Sequence, residues 1–234
     1  MWRIQNADII FEFALTVVKI TILTLFPPVF HPIFDLSIIG RARHKKLIDI
    51  RYVDIRNFAE DKYKSVDGKP YGGGAGMLMR VDILHRAIKA VSLKNKEFKI
   101  REKKILLDPK GKQFTQALAR KYTRLDHLIL ISGHYEGFDE RIKHFVDESL
   151  SIGNYILTGG EIPAMVVCDA VCRLVKGVLN KDSLINESYS EDNFFEDPQY
   201  TRPKVYNKYK VPSVLLSGNH QEINLWKKAH RLVK

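Results

Sequence analysis

Carboxylates are the minority charge in this chain of 234 residues: 27 Asp and Glu stand against 38 Lys and Arg, a formal net charge of +11. An imbalance of that size points to a polyanionic partner, nucleic acid or an anionic membrane, with a basic surface kept for solubility as the competing reading. Cysteine is nearly absent. Cys168 and Cys172 are the only two, and their spacing is helical rather than the Cys-x-x-Cys of a redox or zinc site, so both are expected to be small buried hydrophobes. The 8 histidines form no His-Glu-x-x-His and no cluster with cysteine, so no metal site is expected. Long apolar runs are missing too: residues 9–25 are interrupted by Glu12 and Lys19, which excludes a span of ~20 apolar residues. Asp8 and Glu12 also fit poorly in a secretory leader, and a soluble cytoplasmic chain is expected.

What the chain has in plenty is glycine in two places. Gly72, Gly73, Gly74 and Gly76 follow Pro70-Tyr71, and Gly153, Gly159 and Gly160 punctuate Ser151-Ile-Gly-Asn-Tyr-Ile-Leu-Thr-Gly-Gly-Glu-Ile-Pro163. Glycine tolerates positive φ and lets backbone approach a ligand closely, so main-chain groups are expected to form a binding surface there, a mobile surface loop being the plainer alternative. No Gly-Lys-Ser/Thr follows the first cluster, which disfavours a P-loop.

Between these segments strands alternate with helices. Lys19-Ile-Thr-Ile-Leu-Thr-Leu25 alternates like a strand and stops at Pro27-Pro28, and residues 48–55 share its period of two. Ile105-Leu-Leu107 and Leu128-Ile-Leu-Ile131 are short continuous runs that end in the turns Asp108-Pro-Lys-Gly111 and Ser132-Gly-His134, as buried strands of a parallel sheet do. Helical spacing marks residues 81–91, 115–122 and 163–176, the last with proline in its first turn and Gly177 beyond its end. The pattern is α/β, with the site expected in loops at the carboxyl ends of strands. Residues 180–212 lose periodicity and read as a polar linker, and an amphipathic helix with a basic face returns from Asn219.

With these segments in view, the chain resembles the TrmD family of bacterial tRNA (guanine-N1)-methyltransferases, in the SPOUT superfamily. The resemblance rests on Tyr71-Gly-Gly-Gly-Ala-Gly-Met-Leu-Met79, Gly133-His-Tyr-Glu-Gly-Phe-Asp-Glu-Arg141, the segment from Ser151 to Met165, Tyr200-Thr-Arg-Pro203 and Val214-Leu-Leu-Ser-Gly-Asn-His220. It implies a SPOUT-type parallel sheet over 19–179 with a C-terminal trefoil knot at about 105–177, a flexible linker over 180–212, and a small helical tRNA-binding domain over 213–234. Pattern alone would give an open doubly wound sheet, since knots are nearly absent from proteins. The resemblance also implies a homodimer whose active site lies at the subunit interface, S-adenosyl-L-methionine as methyl donor, and Mg²⁺ as an assisting ion that no ligand cluster here locates.

Carried over residue by residue, the cofactor pocket is Leu107, Asp108, Pro109, Gly133, Tyr135, Glu136, Ile152, Gly153, Asn154, Tyr155, Ile156, Leu157, Gly159, Gly160 and Pro163. The family reaction methylates N1 of guanosine 37, beside the anticodon, where a preceding guanosine is required. It needs a base for the N1 proton and a cation near O6, roles that fall to Glu187 and Arg173, with Asp192 as the second candidate for the base. RNA contacts are expected from Asp67, Tyr71, His134, Arg202, Lys227, Lys228 and Arg231.

Three departures stand out. Glu187-Ser-Tyr189 replaces the family's Asp-Ser-Phe, His134 stands where arginine is usual, and residues 1–18 precede the usual start, as an extension or a misassigned initiation site. The C-terminal domain reads as shorter than the usual version. The alternatives are a SPOUT methyltransferase acting on another RNA, or a non-catalytic RNA-binding factor that keeps the fold.

Overall fold

Alternating side chains along the first strand set up two hydrophobic cores, one on each face of a single sheet. The computed structural model describes residues 17–93, 100–180, 183–184, 187–189 and 195–231. Strands β1 (Val18–Thr24), β2 (Ile48–Asp54), β5 (Glu102–Gln113), β6 (His127–Ser132) and β7 (Glu148–Ser151) form a five-stranded sheet in the order β2-β1-β6-β5-β7, with every neighbouring pair parallel. The short pair β3 (Asp67–Gly68) and β4 (Leu78–Met79) stands apart from it.

One core gathers Val18, Ile20 and Ile22 with Ile48, Ile50, Ile105, Leu107, Leu128 and Leu130. Onto it pack α1 (His31–Phe34), α2 (Ser37–His44), α4 (Gln116–Tyr122) and α5 (Glu161–Cys172), through residues such as Phe34, Ala42, Tyr122 and Val167. The opposite core takes Leu23, Leu106, Ile129 and Ile131 and is covered by α3 (Val81–Val91) through Ile83, Leu84, Ala87 and Ile88. β6 lies between β1 and β5 and is buried along its whole length, which is why its sequence is a continuous apolar run rather than an alternation. Each isoleucine or leucine fully buried this way contributes roughly 1.5–3 kcal/mol of transfer free energy.

Local signals set several helix ends. Thr115 caps α4 by accepting from the Leu118 amide at 3.3 Å, and α5 begins at Glu161, after Gly160 as N-cap and with Pro163 in its first turn. α5 stops at Cys172, four residues before the expected end at 176, and the chain turns through 173–176 to reach Gly177. The turn expected at 108–111 does not end its strand. β5 resumes pairing beyond it, so that Leu107 and Lys112 both register against Leu150.

The chain divides into two compact units at Leu179/Asn180. In the second, the stretch read as an aperiodic linker contains an antiparallel hairpin, β8 (Val205–Tyr206) and β9 (Tyr209–Lys210). Its signal was present as Val-Tyr-Asn-Lys-Tyr-Lys, with Asn207 taking the positive φ (52°) that the turn needs. α6 (His220–Ala229) follows, capped by the Asn219 side chain, which accepts from the Gln221 amide at 3.1 Å. Among the described residues no helix is long and apolar enough to cross a membrane.

A buried polar chain crosses the middle of the sheet. His127 on β6 places Nδ1 2.8 Å from Glu102 Oε2 on β5 and Nε2 2.8 Å from Thr21 Oγ1 on β1. Burial alone would raise the Glu102 carboxyl, but hydrogen bonds from His127, the Ser92 hydroxyl and the Leu93 amide outweigh it and hold the pKa at about 2. Because the folded value lies below the ordinary 4.5, this stabilisation is complete above that value and is lost as pH falls toward about 2. Glu102→Gln is therefore expected to cost on the order of 2 kcal/mol in urea melts at pH 7. It should also flatten the loss of stability between pH 4.5 and 2.

Candidate functional site

β6, β5 and β7 are adjacent, so the loops leaving their carboxyl ends converge. The segments 107–110, 133–143 and 150–160 enclose a cavity of about 630 Å³. Its floor is built by backbone contact. The Gly160 amide donates to the Gly133 carbonyl at 2.7 Å, and a Cβ on Gly160 would lie 2.5 Å from the Gly133 nitrogen. No other residue type allows that approach.

The start of α5 is held in place by a second contact. The Thr24 hydroxyl, at the end of β1, donates to Glu161 Oε1 at 2.7 Å. The Ser151 hydroxyl shapes the next loop by accepting from the Gly153 amide at 3.2 Å and donating to the Gly153 carbonyl at 2.9 Å.

The first glycine cluster leads into the cavity wall. Gly72, Gly73, Gly74 and Gly76 all have positive φ, which explains the composition of the loop. Its far end is stitched to the cavity wall by three backbone hydrogen bonds, from Glu136 to Met77 (3.0 Å), from Met79 to Gly137 (2.9 Å) and from Asp139 to Met79 (3.1 Å). Leu78 thereby joins the lining.

Every residue expected at the cofactor pocket lines this cavity except Asn154, which is exposed. The structure adds Lys110, Phe138, Asp139, Glu140 and Lys143, which the sequence reading did not assign. Asp139, Glu140 and Arg141 were within reach as the continuation of the Gly-His-Tyr-Glu-Gly motif; Lys143 carried no signal of its own. Arg141, with Nε 2.9 Å from Asp139 Oδ1, holds the Asp139 carboxyl below its ordinary range, and Glu140 holds the Lys143 ammonium above its own. His134 sits in the wall with its ring edge-on to Phe26 (5.2 Å) and Tyr135 (5.1 Å), and its buried Nδ1 has no hydrogen-bond partner within the protein.

The remaining expected residues lie elsewhere. Asp67 is in β3, paired with Met79, and Tyr71 is fully exposed on the glycine loop. Arg173 is the half-buried C-cap of α5, at the opposite end of that helix from the cavity. In the second unit, Glu187 is half-buried in a turn, Arg202, Lys227 and Lys228 are exposed, and Arg231 is half-buried just beyond α6. Asp192 falls outside the described residues. Among the described residues, no group of three or more His, Cys, Asp or Glu side chains is placed to hold a metal ion.

A parallel α/β sheet with a glycine-lined cavity beyond the carboxyl ends of adjacent strands is the construction of domains that bind nucleotide-like ligands. Known proteins narrow the class. The sequence model of the tRNA (Guanine-1)-methyltransferase TrmD family matches residues 18–234, and the chain belongs to that family. It is 48% identical over 216 residues to the tRNA (guanine-N(1)-)-methyltransferase of Mycoplasmopsis synoviae (strain 53), covering 92% of each chain. It is 49% identical over 216 residues to the protein of that name from Carboxydothermus hydrogenoformans, covering 92% of this chain and 83% of the relative.

The floor of the cavity gives a direct test. Gly160→Ala drives a Cβ into backbone and should cost about 1–3 kcal/mol in thermal melts while lowering cofactor affinity in calorimetry. A Cβ on Gly153 meets only the Tyr155 ring, which is 54% exposed and can turn away, so Gly153→Ala should melt like the parent.

Proposed function

We propose that this protein transfers the methyl group of S-adenosyl-L-methionine to N1 of guanosine 37 in tRNA, working in the cytoplasm as a homodimer. The observation that carries this reading is the cavity beyond β5, β6 and β7 in a chain that matches the TrmD family along residues 18–234. The residues fit the cofactor. The volume of about 630 Å³ falls in the roughly 300–1,000 Å³ usual for small-ligand sites. Gly133, Gly159 and Gly160 line the cavity without side chains that would fill it, and Leu107, Ile152 and Leu157 supply apolar faces for a flat base. When bound, the cofactor supplies an electrophilic methyl group on a sulfonium.

The protein has to manage protons and position. Guanine N1 is protonated at neutral pH, so a carboxylate must take that proton as the new bond forms, and a cation must meet the charge that grows on O6. We assign the first role to Glu187 and the second to Arg173. The rise of 1.5 Å per residue along α5 puts Arg173 roughly 18 Å from the cavity end of its own helix, beyond the reach of its side chain. That distance supports a site completed by the Arg173 of a second copy.

The surface of α5 supports the same arrangement. Ile162 (51% exposed) and Val166 (41%) share a face with Ala170 and Arg173, and Val29, Ile33 and Leu36 are also exposed among the short helical segments that cover the same core. Such an apolar face favours cover by a self-complementary partner. The double pairing of β5 with β7, before and after 108–111, supports a reading of this region as the trefoil knot of the SPOUT fold. The exposed Arg202, Lys227 and Lys228 suit tRNA phosphates, contacts that give affinity and a steep salt dependence rather than sequence choice.

Arg173→Ala and Glu187→Ala should each slow single-turnover methylation of tRNA by about a hundredfold or more and leave cofactor affinity unchanged. Mixing Arg173→Ala with Gly153→Trp, which fills the pocket, should restore one working site per exchanged dimer. Absence of any recovery would place Arg173 at its own pocket and remove the argument for a shared site. Val166→Asp should shift the protein toward monomer in light scattering and reduce methylation in parallel.

A further inference from the structure

We propose that the β8–β9 hairpin is a stacking platform for unpaired nucleotides of the tRNA, with Tyr206 and Tyr209 as the platform and Lys204, Lys208 and Lys210 on the flanking phosphates. The proposal rests on the tRNA substrate argued above. Tyr206 pairs directly with Tyr209, and Val205 with Lys210. Directly paired residues share a face and successive pairs alternate, so the two tyrosines stand side by side on one face, with Val205 and Lys210 on the other. The next pair, joined by the Val211 amide donating to the Lys204 carbonyl at 3.0 Å, returns Lys204 to the tyrosine face, while Lys208 sits in the turn.

The exposure of these rings is the observation that needs a cause. Tyr206 is 69% exposed, Tyr209 81% and Val205 50%. A two-stranded hairpin is marginal in water on its own, and one that offers this much apolar surface to solvent gains little from folding unless a partner covers it. Charge identifies the partner. Residues 198–221 contain no Asp or Glu, while Arg202, Lys204, Lys208 and Lys210 all fall within that stretch. Aromatic rings interleaved with lysines, free of carboxylates, match single-stranded RNA: each ring accepts the face of any base, and each ammonium tracks the backbone. The reaction itself creates such nucleotides, because a guanine that must enter a cavity leaves its neighbours unstacked.

The test uses the full-length protein, a tRNA transcript and three variants: Tyr206→Ala/Tyr209→Ala, Tyr206→Phe/Tyr209→Phe, and Lys204→Ala/Lys208→Ala/Lys210→Ala. The alanine pair should weaken tRNA binding by about tenfold or more, the scale of one or two lost stacking contacts, with the slope of log affinity against log salt unchanged. The phenylalanine pair should bind like the parent. The lysine variant should instead lower that slope by about one for each lysine that meets a phosphate. Cofactor affinity should stay at the parental value in the tyrosine variants. Parental tRNA affinity in the alanine pair would overturn the proposal, as would a change in dimerisation by light scattering with tRNA binding intact, which would make the hairpin a protein contact. A parent protein that bound no tRNA would instead overturn the substrate assignment, so the two failures are distinguishable.

Discussion

A single backbone contact organises the site. With the Gly160 amide on the Gly133 carbonyl, the loop after β6 and the start of α5 are fixed to each other without any side chain between them. The Thr24–Glu161 hydrogen bond then fixes that same helix start to the end of β1. Loop geometry, helix direction and cavity floor are thus one constraint. Relaxing it would move all three, since packed interiors transmit strain rather than absorb it. The glycine loop at 72–76 leads into the backbone hydrogen bonds at 77–79 that join this assembly, and is itself no part of the floor.

The direction of α5 couples the cavity to the subunit contact argued above. Its first turn holds the floor, its exposed side from the first turn to the middle carries Ile162 and Val166, and its last residue hands over to Arg173. A helix of this length is stiff, so a second copy docked on its middle is placed relative to both ends at once. The three proposed parts of the site, cofactor cradle, cation and base, can then be specified by one chain without meeting within one chain.

The sheet was legible because its signals are local and redundant. Period-two alternation over 18–24 and 48–54, and continuous burial over 127–132, each follow from how many faces of a strand are covered. The loops expected to hold a cofactor came from motifs such as Gly133-His-Tyr-Glu-Gly137, and nearly all of their residues line one cavity. Other features were not legible. The resumption of β5 after Asp108-Pro-Lys-Gly111 depends on β7 lying alongside, a tertiary event that overrides a strong turn signal. β7 itself, Glu148–Ser151, is too short and too mixed in polarity to stand out. The hairpin at 205–210 was hidden by its lysines, which made an alternating segment look like a polar linker. Asn154 belongs to the same motif but is exposed and does not line the cavity.

Cys168 and Cys172 lie one turn apart on α5, both fully buried, with their sulfurs 3.7 Å apart. Burial pushes the Cys168 thiol well above its ordinary range, so in the folded protein it is inert as a nucleophile. These are also the only thiols in the chain. Loss of thiol to a thiol-selective reagent in the native protein therefore records moments when α5 opens enough to expose them. The chain carries its own clock for the opening of the helix that starts at the cavity floor, and the effect of cofactor or RNA on that opening can be read as a rate of thiol loss without adding a label.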